Sequence, residues 1–178
     1  MNAPGEARGD ARGSAGRRVA VGVGACQGVP PAEVRDLVRR LLADAGRAER
    51  DVTALATVAA RAGEPALLAL AARLSVPLLT YGPTELARVR VPHPSAFSHS
   101  ALGTPSVAEA AALLAARGAG TDAAEGPPGA AAALLAPKTK SRPPHGAPAR
   151  ATAALAHAPA LGASDVRAAG DQNHAEAS

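Results

Sequence analysis

Between Arg17 and Tyr81, short apolar runs alternate with longer stretches patterned for helix, and this alternation limits the folds open to the chain. RRVAVGVGA, residues 17–25, reads as a strand ending in Gly22 and Gly24. Pro30 and Pro31 follow, suited to a helical first turn where a missing N–H costs nothing. The helix they open runs to about Gly46, with Val34, Leu37, Val38, Leu41 and Leu42 on one face and Arg35, Arg39, Arg40 and Asp44 on the other. VTALATV (52–58) is a second strand, EPALLALAARLS (64–75) a second helix, VPLLTY (76–81) a third strand and GPTELARV a short helix after it. Strands separated by helices imply an α/β fold, here a single domain with a mixed sheet flanked by helices on both faces.

The remainder is harder to read. VPHPSAFSHSAL is a proline-punctuated connection, and Ser106 with Glu109 forms an S-x-x-E capping box at the start of another helix. GAGTDAAEGPPGA after Arg117 reads as a loop. AAALLAP and ATAALAHA are short alanine-rich runs that periodicity alone leaves between helix and strand. Residues 1–16 and 159–178 are too poor in large apolar side chains to offset the entropy of ordering. A disordered leader, a domain over 17–158 and a disordered tail are expected.

Aromatic side chains are almost absent, Tyr81 and Phe97 alone, so the core must be aliphatic. Residues 19–136 carry ten basic and ten acidic groups, whereas 137–150 hold Lys138, Lys140, Arg142 and Arg150 with no acid. Those two lysines are the only ones in the chain. A balanced core without aromatics for base stacking argues against nucleic-acid binding despite a pI of about 10.2. One cysteine, Cys26, allows no internal disulfide and no zinc spacing, so a reducing compartment, a cytoplasmic location and no metal or cofactor are expected. No segment has the roughly 20 apolar residues that span a bilayer. Gly22-x-Gly24 lacks both the third glycine of a dinucleotide site and the lysine of a P-loop.

Six stretches, in order, are VGVGACQG (21–28), LATVAARAGEPALL (55–68), PHPS (92–95), GTPSVAEAAALL (103–114), LLAPKTKS (134–141) and ATAALA (151–156). Together they resemble the cobalamin-biosynthesis family formed by CobE and the C-terminal domain of CbiG, over residues 18–157. The resemblance makes both alanine-rich segments strands. It implies a place in corrin-ring assembly, either as an accessory binder of a precorrin or hydrogenobyrinic-acid type intermediate that assists other pathway enzymes, or as a hydrolase on a precorrin lactone releasing acetaldehyde, as in full-length CbiG. Arg61 stands where the family usually has lysine, Ala25, Cys26 and Gln27 replace the usual turn, and the loop after Ser141 is longer and carries His145.

A ring fringed with carboxylates needs positive donors. Lys138 and Lys140, two apart in an extended segment, suit that role, and the turn from Gly103 through Thr104 to Ser106 offers helix N–H groups. Thr57, Arg61 and Glu64 would line the same cleft if the strand ends converge. Each has a plainer reading as well: the lysines a solvated loop, Ser106 a helix cap, Thr57 a sheet residue, Glu64 a helix-start acid as readily as a catalytic group, and Ser95 a turn residue.

Overall fold

A computed structural model describes residues 18–92, 106–118 and 132–157. Five strands make one mixed sheet: β1 Val19–Ala25, β2 Val52–Val58, β3 Leu78–Tyr81, β4 Ala133–Lys140 and β5 Ala151–His157, in the order β3-β2-β1-β5-β4. β1, β2 and β3 pair in parallel, while β5 runs antiparallel to both β1 and β4. The strand ends of β1 to β4 therefore share one edge of the sheet with the start of β5.

The helices divide between the faces. α1 (Pro31–Asp44) and α2 (Pro65–Leu74) cover one face, packing on Val19, Val21, Val23, Leu55, Ala153 and Leu155. The predicted apolar face of α1 is the one buried: Val34, Leu37, Val38, Leu41 and Leu42. Pro30 is its N-cap and Pro31 its first residue, and Pro65 likewise opens α2 behind Glu64. The other face carries α3 (Pro83–Ala87) and α4 (Val107–Gly118), packed on Ala20, Ala56, Val58, Ala154 and Ala156. A mixed sheet with helices on both faces is the architecture that the alternation implies.

The two cores differ in chemistry. The α1/α2 side is built of leucine and valine, where removing one large side chain costs ~2–5 kcal/mol. The α4 side is mostly alanine, with Ala108, Ala110, Ala111, Ala112, Ala115 and Ala116 all buried. Small side chains contribute little transfer energy each, so this layer depends on backbone coming close to backbone. Gly22 permits that approach: a Cβ there would lie 1.9 Å from the Ala108 carbonyl oxygen and 2.5 Å from the Ala112 nitrogen. The G-x-G of β1 is thus a seat for α4.

ATAALAH forms β5, buried on both sides between β1 and β4. A strand covered on both faces shows no alternation, which is why its period was uninformative. Lys138 and Lys140 lie within β4, so the solvated-loop reading of these two gives way to strand, with an irregularity in the ladder between Ala136 and Thr139. No helix among the described residues is long and apolar enough to cross a membrane. The leader 1–16, the tail 159–178, Ser95, Gly103 and Thr104 lie outside the described residues.

Candidate functional site

At the shared edge, β1 ends at Ala25 opposite Ala151, and Lys140 at the end of β4 sits opposite Thr152. The chain leaves β1 through Cys26, Gln27 and Gly28, the last at φ +66°, a conformation that favours glycine. The Cys26 N–H donates to the Arg150 carbonyl at 2.8 Å, tying this turn to the approach to β5. Cys26 itself is exposed.

A cleft of about 480 Å³ opens beside the turn, with Gln27 and Gly28 on one wall and Ala60, Arg61, Gly63, Glu64 and Pro65 on the other. Arg61 ends a short 3₁₀ turn after β2 and donates from Nε to the Ala25 carbonyl at 3.0 Å. Its terminal amino groups have no partner among the described residues. Glu64 is almost wholly buried as the N-cap of α2, and its Oε2 accepts the Gly28 N–H at 3.1 Å. Although Glu64 occupies the N-cap position, its side chain makes no cap hydrogen bond to α2, and its carboxylate is turned to Gly28 in the cleft wall. Thr57 is fully buried, donates to the Val23 carbonyl at 2.8 Å within the sheet, and does not line the cleft.

On the other side of β1, Ser106 immediately precedes α4; it is buried, and its carbonyl accepts the Ala110 N–H at 3.1 Å. Glu109, in the first turn of α4, is fully buried. Its Oε1 accepts the Lys138 backbone N–H at 3.0 Å, just where the β4 ladder is irregular. This bond brings the lysine segment against the first turn of α4. Gly24 lies there too: a Cβ on it would meet the Thr152 hydroxyl at 2.8 Å and the Val107 Cβ at 3.6 Å.

A third cluster was not foreseen. The Ser141 hydroxyl donates to Glu33 Oε1 at 2.5 Å, and the same carboxylate oxygen accepts the Arg150 N–H at 2.9 Å. Ser141 Oγ also accepts the Ala151 N–H at 3.1 Å, and the Ser141 N–H donates to the Ala151 carbonyl at 2.8 Å. Glu33, from the first turn of α1, thus clamps both ends of the 142–150 loop. The Arg150 guanidinium donates from one terminal nitrogen to the Gln27 carbonyl at 2.9 Å. The only advance signal was Ser141 closing the LLAPKTKS motif; nothing local pairs it with Glu33. At the end of β3, burial and then the nearby Glu85 carboxylate push the Tyr81 phenol above its usual range. No group of three or more His, Cys, Asp or Glu arranged to hold a metal occurs among the described residues.

The family model for the cobalamin synthesis G C-terminus matches residues 19–156. Protein CobE from Sinorhizobium sp. is 40% identical over 111 residues, 61% of this chain and 70% of that protein. The cobalt-precorrin-5A hydrolase of Priestia megaterium is 30% identical over 96 residues, 54% of this chain but only 26% of the hydrolase. The crystal structure of CobE, a protein from the cobalamin (vitamin B12) biosynthetic pathway, superposes with a TM-score of 0.65 at 33% identity, covering 78% of this chain and 89% of that one.

Proposed function

Because the chain belongs to the cobalamin synthesis G C-terminus family, with a role of the CobE type in cobalamin biosynthesis, we propose that it binds a corrin-ring precursor through the ring's carboxylates and assists or hands it to other pathway enzymes. The observation that carries this reading is the distribution of positive groups along one sheet edge. The Arg61 guanidinium lies on the Ala25 carbonyl at the end of β1, and Lys138 and Lys140 stand in β4, two strand spacings away in the order β1-β5-β4. Two spacings amount to about 10 Å. A small mono-anion cannot bridge that span, whereas a macrocycle with carboxylates around its rim presents charges at such separations. With no tryptophan in the chain, the ring faces would rest on aliphatic and backbone surface.

Binding is favoured over bond breaking because the carboxylates at this edge are engaged structurally: Glu64 by Gly28, Glu33 by Ser141 and Arg150, Glu109 by Lys138. A general acid or base must instead be available to the substrate. The hydrolase likeness supports the second reading, a Glu64-assisted hydrolysis of a precorrin lactone, but it spans about a quarter of that enzyme.

The test is an absorbance titration of hydrogenobyrinic acid with the wild type and with the Lys138→Ala/Lys140→Ala variant. A saturable spectral shift that the variant loses is expected. Folded wild-type protein that leaves this and earlier intermediates unchanged would overturn ring binding in favour of docking to a partner enzyme. Acetaldehyde release from a lactone-bearing intermediate would promote the hydrolase reading.

A further inference from the structure

The turn between β1 and α1 is gripped by two arginines at alternate carbonyls. Arg61 holds the Ala25 oxygen at 3.0 Å and Arg150 the Gln27 oxygen at 2.9 Å. Arg150 lies outside the six motifs, yet its terminal nitrogen lies 3.9 Å from where a Cβ on Gly28 would stand, and Gly28 lines the cleft that Arg61 also lines. A guanidinium has five N–H donors, and each of these uses one. The remaining donors have no partner among the described residues. Arg61 and Glu64 are the two charged residues that line the cleft, and Arg150 adds a further positive charge beside Gly28 at its margin.

From this arrangement we infer that Arg61 and Arg150 form a carboxylate-binding subsite across the Gln27–Gly28 turn, separate from the Lys138 and Lys140 region. The backbone bonds pre-orient both forks, which lowers the entropy lost when a carboxylate is bound in bidentate fashion. A side chain at Gly28 would stand 3.9 Å from the Arg150 nitrogen, and the bare Cα leaves that space open. The inference deepens the ring-binding proposal and rests on it for the identity of the ligand, since one carboxylate of the rim would seat here while others reach β4.

Two probes separate the claims. Succinate is titrated at constant ionic strength while the Gly28 amide and the arginine Nε–H signals are followed by NMR, with succinamide as the neutral control. Saturable shifts with succinate alone are expected, weakened about tenfold in Arg150→Gln, as the loss of a charge-assisted hydrogen bond implies, and only partly in Arg150→Lys. Shifts shared by succinamide, or an unchanged affinity in Arg150→Gln with its fold verified by circular dichroism, would overturn the subsite. If succinate saturates but hydrogenobyrinic acid does not bind, the subsite stands and the corrin reading falls. If the ring binds the wild type and the Arg61→Gln/Arg150→Gln variant equally, the subsite falls and the corrin reading stands.

Discussion

Replacing Gly22 with alanine tests how the alanine face of the molecule is held together. The added Cβ would meet the Ala108 carbonyl oxygen at 1.9 Å and the Ala112 nitrogen at 2.5 Å, both backbone atoms with no rotamer to yield. Reaching an ordinary contact of about 3.5 Å requires α4 to lift by roughly 1.5 Å. A radial gap of 0.5–1 Å already forfeits about a quarter to a half of each dispersion contact, and nine residues of α4 are buried. Overpacking costs ~1–3 kcal/mol where side chains can adjust, so ~3 kcal/mol or more is expected here. With a urea slope of about 2 kcal/mol/M, the midpoint falls by roughly 1.5 M. Gly63→Ala is the control, since nothing lies within 4 Å of its Cβ. Urea unfolding followed by far-UV circular dichroism reads both. A Gly22→Ala protein within about 0.5 kcal/mol of the Gly63→Ala control, the usual scatter of surface substitutions, would refute the close seating of α4 on β1.

Glu109→Ala removes a fully buried carboxylate and strands the Lys138 N–H, so a loss of ~2–4 kcal/mol in chemical denaturation is expected, with Glu109→Gln costing less because it retains an acceptor oxygen. An equal loss in both would show that charge, not the acceptor, matters. Ser141→Ala removes the hydroxyl bonded to Glu33 and the side-chain acceptor of the Ala151 N–H, giving ~1–3 kcal/mol of destabilisation and faster amide exchange at Arg150 and Ala151; unchanged exchange there would contradict the clamp. Tyr81, the sole tyrosine, should ionise above pH 10 in an absorbance titration of the folded protein. Its folded pKa is raised, so its contribution is fully present below the unfolded value of about 10 and is lost as pH rises through the folded value. A midpoint at or below 10 in the folded state would contradict its burial.

Local order was legible wherever a single period or punctuation mark sufficed. The five buried residues of α1 follow from spacing, and the Pro30–Pro31 pair and the Glu64–Pro65 step locate two helix starts. The alternation of elements was enough for an α/β class with helices on both faces, and six short motifs in order were enough for the family. Of the site residues, Arg61 and Glu64 do line one cleft, and the Lys138 segment does meet the start of α4. Thr57 faces inward, because its position on β2 puts its hydroxyl against the Val23 carbonyl of the neighbouring strand.

What sequence alone determined, then, is the set of elements and their apolar faces, since these depend on neighbours three or four residues away in a helix or two in a strand. Tertiary structure decided the roles of Gly22, Glu109, Ser141 and Arg150. The Glu109–Lys138 bond joins residues 29 apart, Ser141–Glu33 residues 108 apart and Arg150–Glu33 residues 117 apart. Such meetings exist only because β5 inserts antiparallel between β1 and β4, bringing the end of the chain's fold against its beginning. No local pattern encodes that insertion: a strand buried on both faces carries the same alanine-rich run whichever neighbours it has. The seat of α4 on a bare glycine is likewise a property of two backbones meeting, visible only once the sheet is assembled.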